Sequence, residues 1–433
     1  MSRVHPRREF LRTSAALGIG YWIAAGEAAE VKPASPNEQI AMASIGIGGK
    51  GESDSADAAR LGRMVAICDT DEQRLNHAGE KRFPGAKRFT DFRKMLDEMH
   101  GQIDAVTVST ADHTHAPAAL MAMRLGKHCF CQKPLTRTIY EARLMGQVAR
   151  EKKLATQMGN QGSASSGLRR GAALLRAGAL GKVRELHVWT DRPIWPQGVS
   201  RKEPKPAPKG LNWDAWIGPA PERPYADGYQ PFVWRGWWDF GTGALGDIGC
   251  HAINMAFMGL DLRSPVTVEA QTSGHNKDSF PAWSIVTFRY APTPAQPDLK
   301  LVWYDGGKVP PAEALDGKAP GTGGFLAIGD KGRMWGESLY AGAVNLDVKF
   351  PQSPGHFEEW VRAIRGGEPP VSNFPDHAGP LTEMVLLGNL AVWNAVKDKS
   401  DRIEYDAAAM KVKNLPGFES LIKPTYRKGY TLE

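Results

Sequence analysis

Cysteine is scarce in this chain: four in 433 residues, Cys68, Cys129, Cys131 and Cys250, with no pair at metal-knuckle spacing. Cys129 and Cys131 stand two apart in a run that reads as a strand, so their thiols share one face, as small buried thiols do. A strong surplus of one charge is also missing. The formal net charge is +7, but Lys and Arg are scattered in ones and twos among nearly as many acids. No basic stripe or aromatic-basic repeat exists to hold nucleic acid. With 42% hydrophobic and 23% charged residues, the composition excludes disorder, collagen-like repeats and a multi-span membrane protein. The length favours two or three folded units. What is present in excess is glycine (47), proline (31) and, most unusually, tryptophan (13).

The first thirty residues read as an export segment and not as part of the fold. Arg7-Arg8-Glu9-Phe10-Leu11-Arg12 precedes a modestly apolar run from Thr13 to Ala25 and the small residues Gly26-Glu27-Ala28-Ala29. That is the layout of a twin-arginine signal, which predicts the export machinery as a partner and a periplasmic or otherwise exported destination. The apolar run is too short for a stable membrane anchor. Residues 1–28 hold four arginines against two glutamates, so the remainder carries +5. Because this route carries folded proteins, it raises the expectation of a cofactor loaded before export.

A buried parallel strand, Gln39 to Ile45, runs into Gly46-Ile47-Gly48-Gly49-Lys50-Gly51 and a helix-like stretch from Asp54 to Leu61. This is G-x-G-x-x-G in the context it needs. Gly46 permits the tight turn, Gly48 lets backbone approach a pyrophosphate, Gly49 continues the loop, and Gly51 allows close helix packing over the phosphates. The next strand, Arg63 to Cys68, ends in Asp69, 23 positions after Gly46. A carboxylate there suits ribose hydroxyls and repels a 2′-phosphate, which favours NAD over NADP, although Arg74 lies near in sequence. Strands follow at Ile103–Thr110, His128–Cys131 and Leu154–Gln157, with helices from about Ala116 and from about Thr138 between them, in a βα rhythm.

The second half alternates as strands at Gly181–Thr190, Val266–Ser273, Trp283–Tyr290, Lys300–Tyr304 and Gly324–Ile328, which fits one open sheet. A long connection after the first of these opens with the Pro- and Lys-rich stretch Pro193–Gly210. It then carries Trp213, Trp216, Tyr225, Tyr229, Phe232, Trp234, Trp237, Trp238 and Phe240. Such rings either glue an irregular loop to its domain or line a sugar site. Packing is expected to claim most of them, with Trp237 or Trp238 the candidates for exposure to substrate.

Ser109-Thr110-Ala111-Asp112-His113-Thr114-His115, Cys131-Gln132-Lys133-Pro134-Leu135 and Gly246-Asp247-Ile248-Gly249-Cys250-His251 together resemble the Gfo/Idh/MocA family of oxidoreductases over nearly the whole chain from Gln39. The resemblance implies an α/β protein: a Rossmann dinucleotide-binding domain at 38–160, then an α+β domain at 161–433 with a large open, mostly antiparallel sheet for substrate and self-association. It implies NAD or NADP, carbohydrate substrates and a homo-oligomer. It assigns Lys133, Asp247 and His251 to catalysis, and places Thr110, His113 and His115, with Gln132 and Lys133, at the nicotinamide end. Gln132 departs from the family's usual glutamate, which keeps an acceptor oxygen but removes a charge and adds two donors.

Oxidising a secondary alcohol needs a base and a hydride acceptor held in near-attack geometry. His251, with an ordinary pKa of about 6.5, would accept the hydroxyl proton. Lys133 would stabilise alkoxide character, and Asp247, one helical turn before His251, would bind hydroxyls or position the base. The glycines Gly241, Gly243, Gly246 and Gly249 would admit substrate close to the backbone. Each residue also has a plainer reading: Asp247 and Asp112 as helix caps, His251 as a core histidine, Lys133 as a strand end before proline. His113, His115 and His128 lack carboxylate or thiol companions, so no metal is expected. The functional expectation is an NAD(P)-dependent oxidoreductase on a sugar, polyol or glycoside hydroxyl. Its cofactor stays bound and is recycled, because an exported enzyme meets no free nicotinamide pool. The alternatives are an NAD-dependent glycoside hydrolase working by transient C3 oxidation and a non-catalytic sugar- and NAD-binding protein.

Overall fold

A computed structural model of the chain describes residues 39–293, 297–395 and 401–432. The Arg7-Arg8 segment read as an export signal lies outside the described residues. Strand β1 (Ala41–Ile45) is buried along its whole length and carries no charge, as a strand covered on both faces must be. It sits inside a six-stranded parallel sheet with β2 (Arg63–Cys68), β3 (Lys87–Phe89), β4 (Ala105–Val108), β5 (His128–Cys131) and β6 (Thr156–Met158), ordered β3-β2-β1-β4-β5-β6. Helices α1 (Lys50–Leu61), α2 (Glu72–Lys81), α3 (Phe92–Met99), α4 (Asp112–Arg124) and α5 (Ile139–Glu151) connect them. Local chemistry sets several of their starts. Asp71 accepts from the Gln73 and Arg74 amides at α2, and Thr138 with Glu141 forms a reciprocal capping box at α5. The strand order reverses between β1 and β4, so the crevice beyond their carboxyl ends is where an open α/β sheet takes ligand.

After α6 (Ser166–Arg176), strand β7 (Val183–Thr190) opens the second sheet. The aromatic connection then passes through α7 (Trp213–Ile217) to α8 (Gly243–Ala252) and α9 (Asn254–Leu260). The sheet is completed by β8 (Thr267–Thr272), β9 (Ser284–Tyr290), β10 (Leu299–Tyr304), β11 (Gly323–Gly329), β12 (Arg333–Trp335), β13 (Ser338–Tyr340), β14 (Ile403–Asp406) and β15 (Lys411–Val412). Its order is β13-β12-β11-β7-β10-β9-β8-β14-β15. Only the β7/β10 pair is parallel. The expected α/β fold, a Rossmann domain plus an open and mostly antiparallel sheet domain, is therefore observed. The five strands read from alternation are all present. Helix α4 starts four residues before its expected onset because its first turn runs through Asp112 to His115, and Pro117 sits inside it.

The last third of the chain returns to the first sheet. Helix α11 (His356–Ile364; α10 is the short Ala312–Leu315) stacks Phe357 on Phe130 of β5, with ring centroids 4.2 Å apart. Trp360 donates its indole N–H to the Ala155 carbonyl at 3.1 Å. Helix α12 (Gly379–Asn394) is apolar nearly all round and buried, as a helix wedged among neighbours must be. Thr382 of α12 receives the Leu135 amide at 3.3 Å, just past the Lys133 turn.

The return is fastened by an ion pair, Arg169 of α6 with Glu359 of α11 at 2.5 Å, both side chains almost wholly buried. Arg169→Met would strand the Glu359 carboxylate without its partner. A loss of about 3–5 kcal/mol in unfolding free energy is expected, measured by urea denaturation, whereas the exposed pair Arg60–Asp57 should contribute less than about 1 kcal/mol.

Candidate active site

The glycine loop has the shape its sequence promised. Gly46 takes φ +79°, and a Cβ there would lie 2.6 Å from the Ser109 carbonyl oxygen; one on Gly51 would lie 2.0 Å from the Gly46 carbonyl. Neither position admits a side chain. The Gly46 amide is bonded to Cys68, the Gly51 and Glu52 amides to Gly48 and Gly49. Those of Gly48, Gly49 and Lys50 have no partner among the described residues, leaving a start of α1 that fits phosphate oxygens. Asp69 accepts from the Ile47 and Asp71 amides, each at 3.0 Å, so the carboxylate braces the loop from below. Burial raises its pKa. The Arg74 side chain lies over Gly48, within 2.8 Å of where its Cβ would be. A cation thus stands beside the carboxylate expected to choose between NAD and NADP.

Lys133 follows β5 and reaches across to α8. Its ammonium donates to the Asp247 carbonyl oxygen at 2.6 Å and to Asp247 Oδ1 at 2.9 Å. Asp247 is the fifth residue of α8 and not a cap, and His251 lies one turn on along the same face. Arg235, from the aromatic loop, also donates to Oδ1, through Nε at 2.9 Å. Burial alone would raise the Asp247 pKa, but the Lys133 and Arg235 charges outweigh it and hold the carboxylate below its ordinary range. Oδ2 has no hydrogen-bond partner among the described residues. The His251 imidazole is pushed down to about 4, first by burial and then by the Lys133 ammonium. This corrects the expectation of an unshifted histidine. The ring is neutral at pH 7 and holds a proton weakly.

Two residues expected at the cofactor, His113 and His115, are held by backbone carbonyls. His113 is 1% exposed and sets Nδ1 against the Phe240 carbonyl (3.2 Å) and Nε2 against the Trp216 carbonyl (2.9 Å). Its ring lies between Trp216 and Phe240, so it pins the aromatic loop to α4. His115 lies between the Pro134 and Thr110 carbonyls, its Nδ1 and Nε2 at 2.9 and 3.1 Å from them, and packs between the ends of β4 and β5. Burial lowers their pKa to about 3 and 4, so each ring is neutral and donates through one nitrogen only, to one of its two neighbouring carbonyls. Thr110 stays at the β4 end, its hydroxyl turned to the Ala111 carbonyl. Gln132 donates Nε2 to Asp54 at 2.8 Å and accepts the Lys133 amide at 3.3 Å.

Asp112 is not a cap either. Its carboxylate receives the Thr242 hydroxyl at 2.6 Å, and burial raises its pKa to about 7. Gly246 makes room for this contact, since a Cβ there would lie 2.1 Å from Thr242 Oγ1. The glycine serves packing within α8 rather than close approach of substrate. Gly249 likewise meets Leu245 and Val385.

Most of the aromatic loop is packing, as expected. Trp213, Trp216, Tyr229, Trp237 and Phe240 form one cluster, with Trp213 stacked on Trp216 at 4.9 Å. The two rings singled out for substrate are engaged in packing, Trp237 buried and Trp238 partly so. Trp237 is 3% exposed and bonded to the Gly228 carbonyl. Trp238 stacks on Phe280 at 3.6 Å and abuts Trp393. The exposed ring is Phe232, 43% accessible, which lies 4.6 Å from the Arg235 guanidinium; Trp234 is 4.3 Å from it. Arg235 was not found from sequence because a lone arginine among aromatics forms no motif. Among the described residues no group of three metal-ligating side chains occurs, and no helix is long and apolar enough to cross a membrane.

Residues 40–160 match the model of an oxidoreductase family's NAD-binding Rossmann fold, and residues 183–295 match that family's C-terminal alpha/beta domain. Together the two models span more than half of the chain. A levoglucosan dehydrogenase of Pseudarthrobacter phenanthrenivorans is 26% identical over 177 residues, 41% of this chain and 37% of the relative. A glycosyl hydrolase family 109 protein of Solibacter usitatus is 30% identical over 151 residues, 31% of this chain and 34% of the relative. The match thus spans little more than a third of either curated relative. Among solved structures, the WlbA dehydrogenase of Bordetella pertussis, in complex with NADH and UDP-GlcNAcA, superposes with a TM-score of 0.59 at 17% identity. It covers 85% of this chain and 99% of that one, a likeness of fold.

The electrostatics of the cleft give a direct expectation. An NMR titration of the His251 ring should show a midpoint near pH 4. In Lys133→Met the midpoint should rise but stay below about 6.5, because the ammonium that opposes protonation is gone while burial, the larger cause, remains. A wild-type midpoint above pH 6 would contradict the arrangement.

Proposed function

The chain belongs to the Gfo/Idh/MocA family of oxidoreductases, and from that premise and its cleft we propose that it oxidises a secondary hydroxyl of a sugar, polyol or glycoside with a retained NAD. The observation that carries this reading is the meeting of Lys133 and Arg235 on Asp247, with the Lys133 charge felt at His251 one turn on, beyond the strand ends where the glycine loop leaves its amides open. A bound nicotinamide supplies the hydride acceptor. The other tasks fall to side chains. Lys133 keeps one N–H beyond the two spent on Asp247, which can donate to the reacting oxygen and stabilise negative charge as it forms. Neutral His251 accepts the hydroxyl proton, although burial and the Lys133 ammonium lower its proton affinity and so weaken it as a base. Asp247 Oδ2 receives a neighbouring hydroxyl, while Phe232 offers an apolar face to sugar C–H groups. NAD is preferred to NADP on Asp69, with Arg74 as the residue that would relax that choice.

A second reading rests on the family 109 glycosyl hydrolases among the relatives: transient oxidation at C3 acidifies the C2 proton, the aglycone leaves, water adds and the carbonyl is reduced again. The Arg7-Arg8 motif supports export by the twin-arginine route in either case. Export explains why the cofactor should be retained, and self-association is part of the same reading.

The test is to purify the mature protein, identify any co-purifying nucleotide by mass and follow nicotinamide absorbance against a sugar panel. Reduction of bound NAD by a sugar supports oxidation; aglycone release from aryl glycosides without net reduction supports the second reading. In either case His251→Ala should lower kcat by about 100- to 10,000-fold while nucleotide stays bound, and unchanged turnover would remove His251 from the mechanism.

A further inference from the structure

Asp54 lies on α1 with none of its surface exposed, an expensive place for a carboxylate unless every lone pair is used. Three elements supply its donors. Lys50, one turn earlier on α1, reaches Oδ1 at 2.6 Å. The Ser109 hydroxyl, just past the end of β4, reaches Oδ2 at 2.8 Å. The Gln132 amide, after β5, reaches the same oxygen at 2.8 Å. These are the glycine-loop helix and the two strand ends that border the nucleotide crevice. Gln132 is in turn pressed flat on Gly159, where a Cβ would come within 2.4 Å of its Nε2.

We infer that Asp54 is a positioning residue that dictates an amide at position 132 and, through it, fixes the turn carrying Lys133. A carboxylate only accepts, so it turns Nε2 of Gln132 toward itself and leaves Oε1 for the Lys133 amide. A glutamate at 132 would set two carboxylates against each other at hydrogen-bond distance, where they hold one proton between them. The chain's departure from the family's usual glutamate is thus matched by a buried acid across the crevice. The charged and titratable groups around Asp54 are few. Lys50 is half-exposed and its effect is screened by solvent. The buried Cys131 thiol, whose pKa burial raises with Asp54 contributing, stays neutral.

The inference concerns the same site as the proposed function, and its first readout needs no cofactor. In Gln132→Glu the folded state binds a proton that the unfolded chain releases above about pH 4.3, so stability should fall as pH rises. The thermal midpoint should drop relative to wild type between pH 5 and pH 8, and the reciprocal double variant Asp54→Asn/Gln132→Glu should cancel that pH dependence. The second readout is NADH affinity by fluorescence titration. Gln132→Glu should bind at least about tenfold more weakly at pH 8 than at pH 5, a proton's worth of coupling, with wild type and the double variant flat. A Gln132→Glu protein whose midpoint tracks wild type across that range overturns the inference. A wild type that binds no NADH overturns the nucleotide reading instead, while the thermal readout still decides the role of Asp54.

Discussion

The ion pair between Lys133 and Asp247 is the contact on which the rest of the site depends. One partner follows the fifth strand of the parallel sheet, and the other sits in a helix packed on the second sheet. Neither domain alone makes a reaction site. The pair is held by different means from each side. Lys133 is fixed through Gln132, Asp54 and the His115 ring between strand ends. Asp247 is fixed by Arg235 and by a helix whose Gly246 leaves room for Thr242 to grip Asp112. The same ammonium that binds Asp247 adds to burial in depressing His251, so one cation holds Asp247 in place and lowers the proton affinity of the histidine one turn on.

Much of this was legible in the sequence because it rests on local rules. Gly46, Gly48 and Gly51 before a helix, Asp69 after the next strand, and period-two alternation in the second half each reflect backbone constraints that neighbouring residues enforce. The i, i+4 spacing of Asp247 and His251 was readable for the same reason. What could not be read depends on contacts distant in sequence. His113 and His115 sit in a segment resembling one that lines a cofactor, yet only the fold shows their rings turned onto backbone carbonyls. The His251 shift needs burial and a cation brought from 118 positions away. Trp237 and Trp238 adjoin the motif in sequence yet are taken up in packing with Gly228, Phe280 and Trp393, whereas Arg235 bonds Asp247 and touches Phe232 with no motif to announce either. The tryptophan surplus is mainly the apolar filling of one long loop.

The charge pattern separates the tasks of the groups. Two cations share one oxygen of Asp247, which keeps that carboxylate ionised where burial would otherwise favour its protonated form. Asp112, without such partners, is raised to about 7. Two carboxyls in one cleft thus differ in proton affinity because their neighbours differ, the usual route by which one site holds groups suited to unlike roles.

In the proposed reaction Lys133 and His251 act on one substrate hydroxyl as a unit. Steady-state kcat/KM for Lys133→Met, His251→Asn and the double variant tests it directly. Groups serving one proton transfer are strongly non-additive, so the double variant should lose scarcely more than the worse single one. Losses that multiply would show that the two side chains act independently, and would contradict the account.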